Sequence, residues 1–377
     1  MISRGYRNTD AKPSLLGFGC MRLPRLKPDQ PQIDKVLAQK MIDYAYRNGV
    51  NYFDTAFMYH DGLSEAFIGQ ALSKYPRESY FLADKMPAWN MTDESQVDET
   101  FQTQLVRCGV DYFDFYLCHG LDARVWENFK RFHILSYLKQ KKAEGKIRRL
   151  GFSFHDSPAV LKEILSVYDW DFAQIQLNYF DWQAQDAKGQ YELLAQHGIP
   201  VVVMEPVRGG SLATLCPDAE KVLKTAEPQA SLASWAIRFA ASQPGVMTVL
   251  SGMSTAEQVK DNVQTMLHFQ PLSGKERDAL SQAVQLYRQY LTIPCTGCRY
   301  CMECPSGVSI PEIFKMYNQF SVSHQEVEFM KAYESLDDTQ RASACVGCGR
   351  CAEHCPQHIN IPKKMKEISA AAEKMLS

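Results

Sequence analysis

The chain has 377 residues, 45% of them hydrophobic and 22% charged, which is long enough to bury more than one core and excludes a disordered or fibrous chain. Its 41 basic and 43 acidic residues nearly cancel, so no overall basic field gathers nucleic acid or anionic lipid, and neither partner is expected. Met1 to Arg22 offers no apolar stretch after its basic residues, and no later segment approaches the roughly 18 apolar residues of a membrane span. A cytoplasmic protein is expected. The 12 cysteines are unevenly placed: eight fall between Cys295 and Cys355, and only Cys20, Cys108, Cys118 and Cys216 serve the residues before them. In a reducing compartment, clustered cysteines point to metal or redox chemistry ahead of structural disulfides.

Residues 14 to 252 alternate short apolar runs with amphipathic helices, the pattern of a parallel sheet with helical crossovers. Eight strands are predicted: Leu15 to Cys20, Asn51 to Thr55, Tyr80 to Asp84, Phe113 to Cys118, Arg149 to Phe154, Phe172 to Leu177, Val201 to Met204 and Val246 to Ser251. Between the first two, Leu37, Met41, Tyr44 and Ala45 share one face of a helix from Asp34 to Asn48, and Gly49 follows as a stop signal. Asp93 to Cys108 and Val125 to Gly145 read as two long crossovers, and Ser157-Pro158 opens a helix carrying Leu161, Ile164 and Leu165. Lys139, Lys141 and Lys142 read as a solvated helix end. Eight such units in about 250 residues fit a closed (β/α)8 TIM barrel. An open dinucleotide-binding sheet would need G-x-G-x-x-G after its first strand, and Leu16-Gly17-Phe18-Gly19-Cys20 does not continue into it. The expected organisation is a barrel over residues 1–272, a linking helix over 273–294 led by Glu276 to Leu291, and a cysteine-rich α-helical domain over 295–377.

Residues just past barrel strands face the C-terminal mouth, where ligands bind. Three adjacent predicted strands end there in Asp54, Lys85 and His119, and Tyr59 follows Asp54 by five residues. A lysine ammonium beside a phenol stabilises the phenolate, so Tyr59 is the candidate general acid or base. Asp54 would hold Lys85, and His119 would orient or polarise a substrate carbonyl. Each residue alone could be a cap or a packed strand end. The four together are hard to explain that way.

Asp54-Thr55-Ala56-x-x-Tyr59, continued by Gly62-x-Ser64-Glu65-x-x-Ile68-Gly69 and joined by Lys85 and His119, resembles the aldo/keto reductase superfamily over roughly residues 10 to 270. The resemblance implies the barrel, a nicotinamide coenzyme, NADP(H) or NAD(H), and a small carbonyl or alcohol substrate. It also implies Ser153 and Gln174 at the nicotinamide carboxamide, Gly252 and Ser254 beside the phosphates, and Asn262 toward the adenine end. Gly19, Cys20 and Met21 would lie near the coenzyme, Cys20 as a small residue and not a nucleophile. The sequence departs from the family at three places: Phe154-His155 follows Ser153, Met204 stands where a stacking Tyr is common, and Gln258 stands where many members carry an Arg for the 2′-phosphate. Arg208 and Lys260 are the candidate substitutes.

The cysteines form two runs, Cys295-x2-Cys298-x2-Cys301-x2-Cys304-Pro305 and Cys345-x2-Cys348-x2-Cys351-x3-Cys355-Pro356. Three thiolates at this spacing wrap one four-iron cluster, while the fourth, before proline, ligates the other in two-cluster ferredoxins. The predicted sets are Cys295, Cys298, Cys301 and Cys355 on one [4Fe-4S] cluster, and Cys345, Cys348, Cys351 and Cys304 on the other. Zinc sites use two pairs with a longer spacer and are the weaker reading. Val308-Ser309-Ile310-Pro311 and His358-Ile359-Asn360-Ile361-Pro362 repeat one another and open a helix after each run. The expected activity is carbonyl and alcohol interconversion, with two clusters for electron transfer or for coupling to an electron-transfer protein partner. The alternative is an electron-transfer protein whose barrel is a scaffold.

Overall fold

The computed structural model describes residues 1–5, 11–27, 30–89, 91–290, 293–302 and 304–376. Two compact units divide them: residues 1–207 with 233–273, and residues 208–232 with 274–377.

In the first unit, eight parallel strands close into a barrel in chain order: β1 Leu16–Gly19, β2 Tyr52–Asp54, β3 Phe81–Met86, β4 Phe113–Leu121, β5 Ile147–Phe154, β6 Phe172–Gln176, β7 Val201–Met204 and β8 Val246–Gly252. All eight predicted strands are present, with ends moved by up to three residues. Tyr52, Ala83, Phe115, Leu117, Phe172 and Val202 pack together inside the barrel, while Phe18, Phe53, Leu82, Tyr116 and Phe152 belong to the layer beneath the helices. Side chains alternate along a strand, so two residues beyond Tyr52, Ala83 and Leu117 stand Asp54, Lys85 and His119, again on the inner face. That alternation delivers three polar groups to one end of an apolar interior.

The helix Lys35–Arg47 starts where Asp34 accepts the Leu37 amide, as its sequence pattern requires. The expected single crossover from Val125 to Gly145 is two helices, Ala123–Arg131 and Ile134–Ala143, broken at His133 with φ 50°. Trp126 and Phe129 on the first, and Ile134 and Leu138 on the second, are buried, and the left-handed residue lets both segments turn these faces inward. Lys141 pairs with Glu144 and Lys142 with Asp171, which neutralises much of the lysine cluster. Gly69 explains itself by packing. A Cβ there would stand 2.3 Å from the Cys108 carbonyl oxygen, so helices Leu63–Leu72 and Ser95–Cys108 cross at a contact only glycine allows.

The second unit contains helices Pro217–Ala226, Gly274–Arg288, Ile310–Ser323, Glu326–Glu334 and Ile361–Leu376. Of the helix expected over Glu276 to Leu291, the final residue lies outside the described residues. Ile310 and Ile361 begin the two repeated helices, each with proline next, and pack with Ile313, Phe314, Phe329, Tyr333, Met365 and Ile368 around Cys301 and Cys351. Segment 208–232, which follows the seventh barrel strand in sequence, is part of this unit. Arg208 is fully buried and donates to the Pro294 carbonyl, and helix Pro217–Ala226 packs on helix Gly274–Arg288. Gly209 has φ 66°, and a Cβ on it would lie 1.8 Å from the Thr296 carbonyl oxygen, inside the first cysteine run.

Candidate active site

At the C-terminal end of the barrel, the Lys85 ammonium is completely buried and donates to Asp54 Oδ1 at 2.6 Å, the Thr55 carbonyl at 2.6 Å and Tyr59 Oη at 3.3 Å. Three acceptors match the three protons of an ammonium. Tyr59 lies past β2 in a loop that turns through three consecutive left-handed residues, His60, Asp61 and Gly62. His60 Nδ1 lies 3.1 Å from the Pro31 carbonyl and pins that turn. Burial holds the Tyr59 phenol well above its ordinary range, with the Asp54 charge adding to the effect. The sequence argument that Lys85 would bring it down does not match this net shift: desolvation is the largest cause, and the phenol is protonated at neutral pH. Burial likewise raises the Asp54 carboxyl, and Lys85 opposes the shift.

The His119 ring meets Tyr59 edge to face with centroids 6.2 Å apart, and Trp89 covers it at 4.8 Å. Trp126 and Trp182 pack into the helical layer, while Trp89 borders the site. Burial, then the Lys85 and His155 charges, push His119 well below its ordinary pKa, so it is neutral. In the unfolded chain it protonates below about pH 6.5. The folded pKa is depressed, so its contribution to stability is complete above that value and is lost as pH falls. We expect the barrel to lose stability through this group as pH falls from 7 to 5. Urea unfolding of wild type and His119→Asn at both pH values checks this: the variant should lose less stability on acidification, and an equal loss contradicts it.

Behind Lys85 lies a layer that the sequence reading did not identify. The Gln104 amide donates to the Lys85 carbonyl at 2.9 Å and to Glu65 at 3.1 Å, and Tyr116 donates to Gln104. Arg107 pairs with Glu65 at 2.9 Å. Asp84 is buried among them, and burial together with the Glu65 charge pushes its carboxyl well up. Glu65 was visible as part of the motif, and the outward position of Asp84 beside inward Lys85 was the signal available for the rest.

In the second unit, the eight clustered cysteines divide between two cavities. Cys295, Cys298, Cys301 and Cys355 line one of about 310 Å³, and Cys304, Cys345, Cys348 and Cys351 line the other of about 300 Å³. Ile310 and Ile361 line both. The thiols sense one another in the same sets. Burial, then Cys298, Cys295 and Cys355, raise Cys301, while burial, then Cys345, Cys304 and Cys348, push Cys351 up to about 11. Among the described residues, no three His, Cys, Asp or Glu side chains are close enough to share a single metal ion. A one-ion zinc site needs thiolates within about 2.3 Å of one centre, whereas a four-iron cluster is itself the spacer between its ligands. The donor set therefore fits clusters. No helix among the described residues is long and apolar enough to cross a membrane.

The family model "Aldo/keto reductase family" matches residues 15–285, well over half of the chain. The chain belongs to the aldo/keto reductase family. A second family model, "4Fe-4S dicluster domain", matches residues 294–360. Among curated relatives, "Uncharacterized oxidoreductase YqkF" of Bacillus subtilis is 28% identical over 298 residues, covering 70% of this chain and 90% of that protein. The "NADH-specific methylglyoxal reductase" of Escherichia coli is 26% identical over 307 residues, covering 68% and 91%. The solved structure of aldo-keto reductase AKR11C1 from Bacillus halodurans, holo form, is 29% identical with TM-score 0.61, covering 75% of this chain and 96% of that one.

Aldo/keto reductases use a nicotinamide coenzyme, and the barrel residues fit its amide end. Ser153 and Gln174 are paired neighbours on β5 and β6. Among the described residues, Gln174 Oε1 and His119 Nδ1 are buried without hydrogen-bond partners, and Gln174 Nε2 reaches the Met204 sulfur at 3.6 Å. Ser153 Oγ accepts the Gly120 amide at 2.7 Å and keeps its own proton to donate. Gly19 lies between Asp54 and Gly252 in the sheet register at the end of β1. Cys20 is buried, and burial followed by the Asp54 charge raises its thiol, which agrees with a small packing residue. Met21 follows it in the short turn Cys20–Arg22.

The expected adenine-side residues are close together but already engaged. Ser254 donates its backbone amide to Gln258 and its hydroxyl to the Arg22 carbonyl, while Asn262 donates to Ser251 at 2.8 Å. Arg208 is buried within the second unit and is no surface cation for a 2′-phosphate, which corrects that part of the sequence reading. Lys260 is exposed.

Proposed function

We propose that the chain is an NAD(P)H-dependent reductase of small carbonyl compounds whose second unit carries two [4Fe-4S] clusters for electron exchange with a protein partner. The observation that carries the first half is the buried Lys85 ammonium held between Asp54, the Thr55 carbonyl and Tyr59. Ser153 and Gln174 would hold the carboxamide of the coenzyme, which when bound would supply the hydride for the substrate carbonyl carbon. As charge gathers on the substrate oxygen, Tyr59 Oη gives up its proton and the product is the alcohol. Lys85 faces the phenolate that remains, and Asp54 fixes Lys85 so that this charge is met without reorganisation. His119, neutral by burial, orients the carbonyl by a hydrogen bond and not as a cation. Trp89 shields that corner from water.

In the second unit, Cys295, Cys298, Cys301 and Cys355 would hold one cluster, and Cys304, Cys345, Cys348 and Cys351 the other. These clusters supply one-electron steps. Twelve cysteines without a disulfide suit the reducing cytoplasm.

The name of the Escherichia coli relative supports a small carbonyl substrate and NADH. The test is anaerobic purification followed by coenzyme oxidation with methylglyoxal and a panel of small aldehydes and ketones. Consumption of NADH or NADPH that requires the carbonyl is expected. A protein that oxidises neither coenzyme with any of them overturns the reductase reading.

A further inference from the structure

The two thiolate cavities have similar volumes but different surroundings. In the cavity of Cys295, Cys298, Cys301 and Cys355, the other lining residues include Thr296, Phe314 and Gln357, all buried, and Arg299, whose charge is met by Glu312. The cavity of Cys304, Cys345, Cys348 and Cys351 reaches the surface. Cys348 is exposed, and Val346 beside it is 72% exposed, one of the few large apolar side chains left in solvent. Ile361, Pro362 and Met365 line this cavity from the first turns of helix Ile361–Leu376, and Arg350 lies between two of its lining residues. Residues 345–367 carry Arg350, Lys363, Lys364 and Lys366 against two acids, Glu353 and Glu367. Arg350, Lys363 and Lys366 are exposed, while Lys364 pairs with Glu367. An apolar tip beside an accessible redox site, rimmed by four cations against two acids in a chain of net charge −2, is a local feature and not a property of the whole surface.

We infer that the cavity of Cys304, Cys345, Cys348 and Cys351 is the electron port of the protein, and that the surface around it docks an acidic one-electron carrier protein. The inference rests on the cluster reading under Proposed function. The carrier is oxidised by one electron and the cluster is reduced by one, with no bond made and no atom transferred. Val346 gives the encounter an apolar centre, and the cationic rim steers it. None of the other cluster's cysteines is exposed, and electrons reach it through the port.

The experiment uses the full-length, cluster-loaded protein and a fully reduced acidic flavodoxin as probe, mixed anaerobically in a stopped-flow instrument while cluster bleaching is followed. The wild-type second-order rate constant should fall steeply with added salt, and Lys363→Glu with Lys366→Glu should lower it at least about 10-fold at low ionic strength. Reduction of the same variant by dithionite should match wild type, and its iron and sulfide content should be unchanged. A rate that ignores both salt and the substitutions overturns the inference alone. If the double variant loses iron, the salt dependence of the wild type decides. A wild-type protein that binds no cluster under iron and sulfide reconstitution overturns the cluster reading and this inference with it.

Discussion

Tyr59→Phe is expected to lower kcat for carbonyl reduction by roughly 10²- to 10⁴-fold while coenzyme KM stays within about 2-fold. The phenylalanine ring keeps the packing above Lys85, whose Nζ lies 4.8 Å from the Tyr59 ring centroid, and removes only the proton donor. Lys85 retains Asp54 and the Thr55 carbonyl, so the variant should fold and bind coenzyme as the wild type does. Because burial holds the phenol protonated, reduction by the wild type should be flat across neutral pH. Alcohol oxidation needs the phenolate and should rise as pH is raised. Steady-state rates in both directions across pH check this. Near-wild-type reduction by the variant would remove Tyr59 from the chemistry.

Paired cysteine substitutions give the second large effect, because the two cavities mix residues from both runs. Two four-iron clusters hold about eight irons. If the cavities define the ligand sets, Cys298→Ser with Cys355→Ser strikes one cluster and should leave about four irons. Cys298→Ser with Cys304→Ser strikes both clusters and should leave almost none. Iron and sulfide analysis after anaerobic reconstitution reads the result. The reverse pattern would assign each run to its own cluster.

The barrel was legible because β-strand alternation and chain order act locally: a run such as Phe113 to Cys118 can be buried on both faces only as an inner strand. Asp54, Lys85 and His119 were legible for the same reason, as polar residues two steps beyond inward apolar ones. The sign of the Tyr59 shift was not. A sequence tells which charges are near a phenol but not how completely water is excluded from it, and desolvation decided the outcome. The break at His133 also escaped, since Val125 to Gly145 has continuous helical periodicity and only the buried faces of the two segments require the turn. Gln104 and Asp84 escaped because their partners come from other elements, which no local pattern encodes. The cysteine runs were legible as ligand spacing, and the exposure of Cys348 against the shelter of Cys301 was not.

Arg208, Gly209 and helix Pro217–Ala226 fold with the cysteine-bearing half although they precede residues 233–273 of the barrel. The protein therefore cannot be dissected by truncation. A fragment ending at residue 273 would retain Leu212 and Leu223, both buried in the full chain, without helix Gly274–Arg288, and would leave the Arg208 guanidinium without the Pro294 carbonyl. A fragment beginning at residue 274 would lack the glycine against which the Thr296 backbone is seated. Transplanting the iron–sulfur half onto another reductase would accordingly require two grafts, one of them internal to the barrel gene.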